Sequence, residues 1–574
     1  MDRVYARTHV SLIFTLAMAF ACSSANRTGE AAPSASVSTG SSDGGPLEHA
    51  VVRDGGSRQD ASAIFREAGR MVSRTGTDAA AGNDAAAGPG PSGSGDAHGA
   101  LQADAGPLST ANLPGCETLA VAQGAVVDST VTDTYTWYDG NCAARTAVLF
   151  RNDATDGFGE SGGYLRRISY ESGGQLRTCT GTGQNEWYGF GYIVNHYGVG
   201  EDDTNTQATL GEHTVVLAGR HHAIHEFRWS TSPGGPVNVT ARWIFMTGRS
   251  HPLFAITFDA TPAGPNTVLA DTRAPYGDLA WDSDTDGDVS GVGWGDRYKF
   301  ATTGAGPVTP TSSWDYTALN SIPFAMEWSN AADAEMGLVA TEAWTTRVQG
   351  GDYGDGLLSE RWGQTGTNLL VDLPEELWPF QLDQYDLADE TNSHRVAWGA
   401  SFGAVGQTSY EAFGQTASGY PFQSYSLFVV LGTHGVSAVS GEIQEIETIQ
   451  STSLTSTRGT VTTSGPAGVG RTDAISYVPS GFDPVYAAWD ATLEQNAATV
   501  SLSIPSGSLT NPVFHFHGYT ALGPPDTVTF AGRTLAADSG YFATVDSATQ
   551  SLWLTLNLTA VGTETLTVGG AGSH

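Results

Sequence analysis

Charge is scarce in this chain, and positive charge scarcer still. Only 15% of its 574 residues are charged, and 26 Lys and Arg face 60 Asp and Glu, a formal net of −34. A field of that sign repels phosphate backbones and argues against nucleic acid as a partner. Cysteine is also sparse, with four in all, and none shows the doublet spacing of a zinc site. No nucleophilic serine elbow and no phosphate-binding loop occur. Convincing amphipathic helices are few; residues 442–447 (EIQEIE) come nearest and read equally well as a strand.

What the chain has in quantity is glycine, at 72 residues, and tryptophan, at 14. Low charge, abundant glycine and many aromatics suit short strands joined by tight turns. The first residues read as an export signal. Arg3 and Arg7 precede an apolar run at 10–21 (VSLIFTLAMAFA) that is too short for a comfortable membrane span. Ala19 and Ala21 satisfy a signal peptidase, and Cys22 follows at once. That junction resembles the bacterial lipobox, which implies diacylglycerol on Cys22 and, with Ser23 after it, transfer to the outer membrane or cell surface. The alternative is plain secretion. A membrane, where one is reached, is reached only through the N-terminal lipid. With Cys22 acylated, three cysteines remain for one bridge; Cys116 with Cys142 and Cys142 with Cys179 both stay open.

Residues 22–112 are rich in Ser, Ala, Gly, Asp and Pro and cannot bury enough apolar surface to offset chain entropy. They are expected to form a disordered tether, interrupted at 60–72 by a short amphipathic stretch. Past Leu113 come strand-like runs such as TAVLF (146–150), HTVVLAG (213–219) and SYSLFVVLG (424–432). The pair ARWIFM and HPLFAITFD reads as a hairpin turning at residues 247–250. The expected fold is all-β: a signal peptide at 1–21, the tether, a large β-sandwich at 113–445, a Thr/Ser-rich linker at 446–470 and a smaller C-terminal β-sandwich at 471–574.

The stretches GGYLRRISY (162–170), WIFMTGRSHPLFAITFD (243–259) and DTRAPYGDLAWD (271–282) resemble the mutarotase-like or supersandwich domains of carbohydrate-active enzymes such as polysaccharide lyases. PDTVTFAGRTLAADSGYFATVDSATQSLWLTLN (525–557) is similar to the accessory sandwiches appended to them. The resemblance implies a polysaccharide or other glycan as partner. Fold likeness alone does not convey activity.

Three constellations bear chemistry. Asp282, Asp284, Asp286 and Asp288 alternate around Gly287 and offer hard oxygen ligands at calcium-loop spacing, although Gly293 stands where a twelfth-place Glu would close an EF-hand. Ca2+ is the expected ion, with an exposed acidic turn as the plain alternative. The row from Arg220 to Glu226 (RHHAIHE) reads as a strand in which His221, Ala223, His225 and Phe227 face one way and His222 and Ile224 the other. Asn195-His196-Tyr197 follows EWYGFGYIV. For β-elimination from an acidic polysaccharide, Asn195 or Arg220 would neutralise the uronate carboxylate and His196, Tyr197 or His222 would move the proton. Trp187, Tyr188 and His225 would line the sugar cleft. The competing readings are a non-catalytic glycan-binding or adhesion lipoprotein and a structural envelope protein.

Overall fold

A computed structural model of the chain describes residues 115–127, 130–151, 165–172, 174–180, 189–197, 203–205, 211–230, 238–259, 261–262, 269–281, 291–295, 300–301, 322, 324–330, 332–343, 381–383, 395–401 and 422–569. For the strands Gly189–Tyr197, Asp203–Asn205, Leu269–Trp281, Gly291–Gly295, Phe300–Ala301, Gln381–Asp383 and Arg395–Ser401 the description is of backbone alone. Everything described falls within one compact unit, Gly88–His574. The expected signal, Cys22, tether and short amphipathic stretch lie outside the described residues.

Strands hold 60% of the described residues and helix 7%, so the all-β expectation holds. Two large sheets form the body. A ten-stranded sheet begins with the Ala120–Val127, Thr130–Tyr138 and Ala144–Phe150 meander and includes Gly189–Tyr197 and Leu269–Trp281. A nine-stranded sheet runs through Glu212–Ala218, His222–Ser230, Asn238–Met246, Leu253–Asp259, Phe422–Gly432 and Ala334–Ala340. The hairpin is present, paired from Asn238 with Asp259 to Ile244 with Leu253. Its turn contains Gly248 at φ 97°, a left-handed conformation that a side chain would strain.

The nine-stranded sheet is a middle layer, which explains its sequence. Ala334–Ala340 (AEMGLVA) is buried at every position, and Leu427 to Leu431 are likewise buried without interruption. A strand covered on one face alternates apolar and polar residues; one covered on both reads as a continuous apolar run. On one side Tyr135, from the ten-stranded sheet, stacks on Phe245 at 4.6 Å, and the Trp137 indole donates to the Arg249 carbonyl at 3.0 Å. On the other side Phe428, Val430, Ile244 and Met246 join a core shared with a helix and the C-terminal strands.

That helix, Ala438–Ser451, includes EIQEIE and settles its ambiguity. Val439, Ile443, Ile446 and Ile449 recur at helical spacing and are buried. Its N-terminus is capped from a distance: the buried Glu335 carboxylate accepts from the Val439 N–H at 2.7 Å and pairs with His434 at 2.7 Å. Residues 446–470, read from their composition as a linker, instead contain the end of the helix and the strands Ser453–Arg458, Thr460–Val461 and Ser464–Pro466. Ser and Thr point outward there from well-paired backbone, so polar composition marks exposed strand faces and not loose chain.

The C-terminal strands make a sandwich of a five-stranded and a six-stranded sheet. Between them lie Leu454, Val500, Leu566 and Val568 from one sheet and Phe514, Phe516, Leu552 and Leu554 from the other. The sandwich is fastened to the nine-stranded sheet by Thr341 donating to the Pro484 carbonyl at 2.8 Å and Ser426 to the Val485 carbonyl at 3.0 Å. Cys116 and Cys142 form a disulfide, which resolves the choice between the two pairings. Among the described residues, no helix is long and apolar enough to cross a membrane.

Candidate functional site

The histidine row does lie on a strand, and its alternation separates its members between two layers. His222 opens the His222–Ser230 strand and points at the C-terminal sandwich. Its Nδ1 is hydrogen-bonded to Thr544 Oγ1 at 3.1 Å and its Nε2 to Thr555 Oγ1 at 2.9 Å. The ring is 1% exposed, and burial drives its pKa well below the usual histidine value. His225 points the opposite way, between the two large sheets. Tyr135 Oη lies 2.8 Å from its Nδ1, His213 Nδ1 lies 3.1 Å from its Nε2, and Asp133 is 3.6 Å away.

Three expectations are corrected here. His221 precedes the strand and so escapes its alternation: instead of sharing the His225 face, it meets Asp538 at 2.8 Å and Phe542 in the C-terminal sandwich. Arg220 donates to the same Asp538 carboxylate, from Nε at 3.2 Å and also from Nη2. Both therefore engage the C-terminal sandwich, Arg220 through an exposed ion pair and His222 in a buried joint. The row looked catalytic because it is polar and dense. It is polar because it carries the hydrogen bonds of a buried seam. His225 is likewise an interlayer residue and lines no open surface.

Asn195, His196 and Tyr197 end the Gly189–Tyr197 strand of the ten-stranded sheet. Their register is specific. His196 is paired with Asp271 on one side and Asp203 on the other; Asn195 is paired with Thr272 and with Thr204. Trp187, Tyr188, Asp282, Asp284, Asp286 and Asp288 lie outside the described residues.

A second cluster escaped sequence reading. Asp490, His515 and His517 offer one ligand atom each within 4.8 Å of one another. The Val513–His517 strand (VFHFH) lies between Ala488–Thr492, to which it runs parallel with Asp490 beside His515, and Ser551–Leu556, where Trp553 opposes His515. Alternation sends Phe514 and Phe516 into the sandwich core, stacked at 5.8 Å, and both histidines to the other face. Asp490 Oδ2 lies 2.8 Å from His517 Nε2 and 3.4 Å from His515 Nδ1. Trp553 stacks on the His515 ring with centroids 4.0 Å apart.

The electrostatics divide the three. Burial disfavours the Asp490 charge, but hydrogen bonds from His515 and His517 hold its carboxyl well below the usual range. Burial lowers His515, whereas the hydrogen bond to Asp490 raises His517, whose side chain is 42% exposed. Behind them Asp483 accepts from Tyr477 Oη at 3.0 Å and is pushed up to about 7 by burial and by the Asp490 charge. The signal that would have found the cluster is the His-Phe-His triplet, which on any strand places both imidazoles on one face.

No family model matches the chain, and no curated protein matches it. Among solved structures, it is similar to the α-N-acetylgalactosaminidase NagBb of Bifidobacterium bifidum, with a TM-score of 0.26 and 10% identity over 55% of this chain. The chain spans 36% of that protein's length. It is also similar to a galactose 1-epimerase of Lactobacillus acidophilus, with a TM-score of 0.27 and 8% identity over 55% of this chain and 98% of that one. Likeness at this level assigns neither family nor activity.

Proposed function

We propose that the chain is an exported protein, anchored through a lipid on Cys22 at the outer membrane or cell surface, whose body takes an acidic polysaccharide and cleaves it by β-elimination. The observation that supports this reading is the register of His196 between Asp271 and Asp203, with Asn195 and Tyr197 as its chain neighbours. Directly opposed residues of antiparallel strands sit close together on one sheet face. In this reading His196 is the general base that takes the proton alpha to the uronate carboxylate. Asn195 and Tyr197 alternate with His196 along the strand, so that spacing assigns them to the opposite face and leaves the proton transfer to His196. Arg220 and His222 have no part in it. Trp187 and Tyr188, just upstream on the chain, supply ring faces for the sugar.

The net charge of −34 opposes an anionic polymer. A Ca2+ ion held by Asp282, Asp284, Asp286 and Asp288 relieves that repulsion and orders the loop. The disulfide Cys116–Cys142 fits an oxidising destination.

The test is incubation of the full-length protein with acidic and neutral polysaccharides, with and without Ca2+, followed by ultraviolet absorbance of unsaturated uronate ends. Growth of absorbance with one acidic polymer, lowered on the order of 10²-fold or more by His196→Ala, is the expected result. Retention of a polymer without cleavage would favour the glycan-binding reading instead. Neither cleavage nor retention with any polymer would end the carbohydrate proposal.

A further inference from the structure

We infer that Asp490, His515 and His517 form a binding site for a divalent transition-metal ion, Zn2+ first among them, with one coordination position left to water. Two imidazoles and one carboxylate are the donor set of open metal sites, in which three protein ligands leave a place for an exchangeable oxygen. At metal–ligand bonds of about 2.0–2.2 Å, tetrahedral ligand atoms stand about 3.4 Å apart. The His515 Nδ1 to Asp490 Oδ2 distance is already 3.4 Å, and the His517 Nε2 to Asp490 Oδ2 distance is 2.8 Å. Swinging the half-exposed His517 outward by about 0.6 Å therefore makes room for the ion.

Two further observations point to a ligand. Asp490 is 1% exposed, yet its Oδ1 is buried with no hydrogen-bond partner. That oxygen is not the Oδ2 that meets the histidines, but an unpaired buried carboxylate is costly, and a cation bound through Oδ2 would offset its charge. The ring of His515 is also held rigidly, stacked on Trp553, which in turn meets Tyr486 edge-on at 5.5 Å. Ligand histidines fixed in this way lose little entropy on binding. Access is one-sided: Asp490 and His515 are covered, with side-chain exposures of 2% and 13%, whereas His517 at 42% forms the rim. The open coordination position lies on the rim side. The hydrogen bond between His517 and Asp490 is exchanged for two metal–ligand bonds when the ion enters.

Its donor set differs from that of Asp282, Asp284, Asp286 and Asp288, whose carboxylate oxygens suit Ca2+ and not a borderline ion. It is also independent of the polysaccharide reading, because its test reads metal and not sugar.

The experiment strips the full-length protein with a chelator and titrates Zn2+ by calorimetry, in buffers of different ionisation enthalpy, and Co2+ by visible absorption. One Zn2+ per chain, displacing Co2+ from a site with tetrahedral-type absorption, is expected. His517→Ala, at an exposed rim, leaves the chelator-treated protein folded and weakens binding on the order of 10–100-fold or more; Asp490→Asn does the same. Should Asp490→Asn fail to fold, His517→Ala alone decides. Wild-type affinity in the His517→Ala protein, or wild-type binding no tighter than that of the variant, overturns the assignment.

Discussion

Arg249, in the turn of the central hairpin, donates from Nη2 to Glu442 at 2.7 Å on the one long helix among the described residues. Its other terminal nitrogen reaches Glu445 at 2.5 Å and the Thr510 carbonyl of the C-terminal sandwich at 2.8 Å. Its own carbonyl accepts from Trp137 of the ten-stranded sheet. One residue thus ties all the layers together. The guanidinium also lies 5.2 Å from the Phe428 ring centroid, so its apolar surroundings add a cation–π contact.

Removing the arginine leaves two glutamates without their cation, Glu442 deeply buried. Arg249→Met is expected to cost about 3–5 kcal/mol, the range for an uncompensated buried charge. The double variant Arg249→Met with Glu442→Gln should recover part of that loss, because the stranded charge is gone. Chemical unfolding of the two proteins checks both statements. Equal stability of wild type and Arg249→Met would show the pair to be idle.

Much of this architecture was legible in the residues. The hairpin follows from two apolar runs separated by a glycine-bearing turn. The apolar run SYSLFVVLG reads as a strand, but its cover on both faces depends on pairings far apart in sequence: Phe422–Gly432 lies between Leu253–Asp259 and Ala334–Ala340. The helix was ambiguous because EIQEIE alone is too short to show a period; Val439 and Ile449, outside that window, complete the helical spacing with Ile443 and Ile446. Sites were harder to read than strands. RHHAIHE and HFH are both dense in histidine, and only the third dimension shows that one is sealed against Thr544 and Thr555 while the other opens at His517. Partners for Asp490 and Arg249 sit 25 and 193 residues away, beyond the reach of any local pattern.

The disulfide should be a substantial part of the stability of the entering chain. It closes a loop with a sequence separation of 26, which in the chain-entropy account is worth about 3–4 kcal/mol. Next to it the Cys116 N–H donates to the Asp538 carbonyl and the Leu119 N–H to the Arg220 carbonyl, so the bridge steadies a segment that touches the seam. Cys116→Ser with Cys142→Ser is therefore expected to lower the unfolding free energy by that amount and to expose residues 115–127 to early hydrogen exchange. Unchanged exchange there would show that the backbone contacts suffice by themselves.

Glu335 offers a cleaner test of helix capping. It is fully buried, and burial raises its pKa even though Val439 and His434 hydrogen-bond its carboxylate. Glu335→Gln keeps one acceptor but removes the negative charge at the helix N-terminus, at a cost of about 1–2 kcal/mol. Glu335→Ala leaves the Val439 N–H and His434 unsatisfied and should cost more than the Gln variant. A melting series that ranks Gln below Ala would contradict the capping role.

Acid should loosen the seam before it unfolds the sheets. His222 is buried and His251 largely so, and burial holds each well below the usual value of 6.5. Their folded forms therefore bind fewer protons than the unfolded chain does once the pH drops below about 6.5. For such groups stability is full above the unfolded pKa and declines as pH falls beneath it, by up to about 1.4 kcal/mol per pH unit for each histidine. Both contacts lie where the layers meet: His222 at Thr544 and Thr555, and His251 as acceptor of the Leu431 N–H at 3.1 Å. The urea midpoint should thus fall between pH 7.5 and 5.5, with hydrogen exchange rising first at Thr544 and Thr555. Replacing His222 by Gln, which keeps a donor and an acceptor but does not titrate in this range, should flatten that pH dependence. An unchanged slope in His222→Gln would mean that the seam is not where the protons enter.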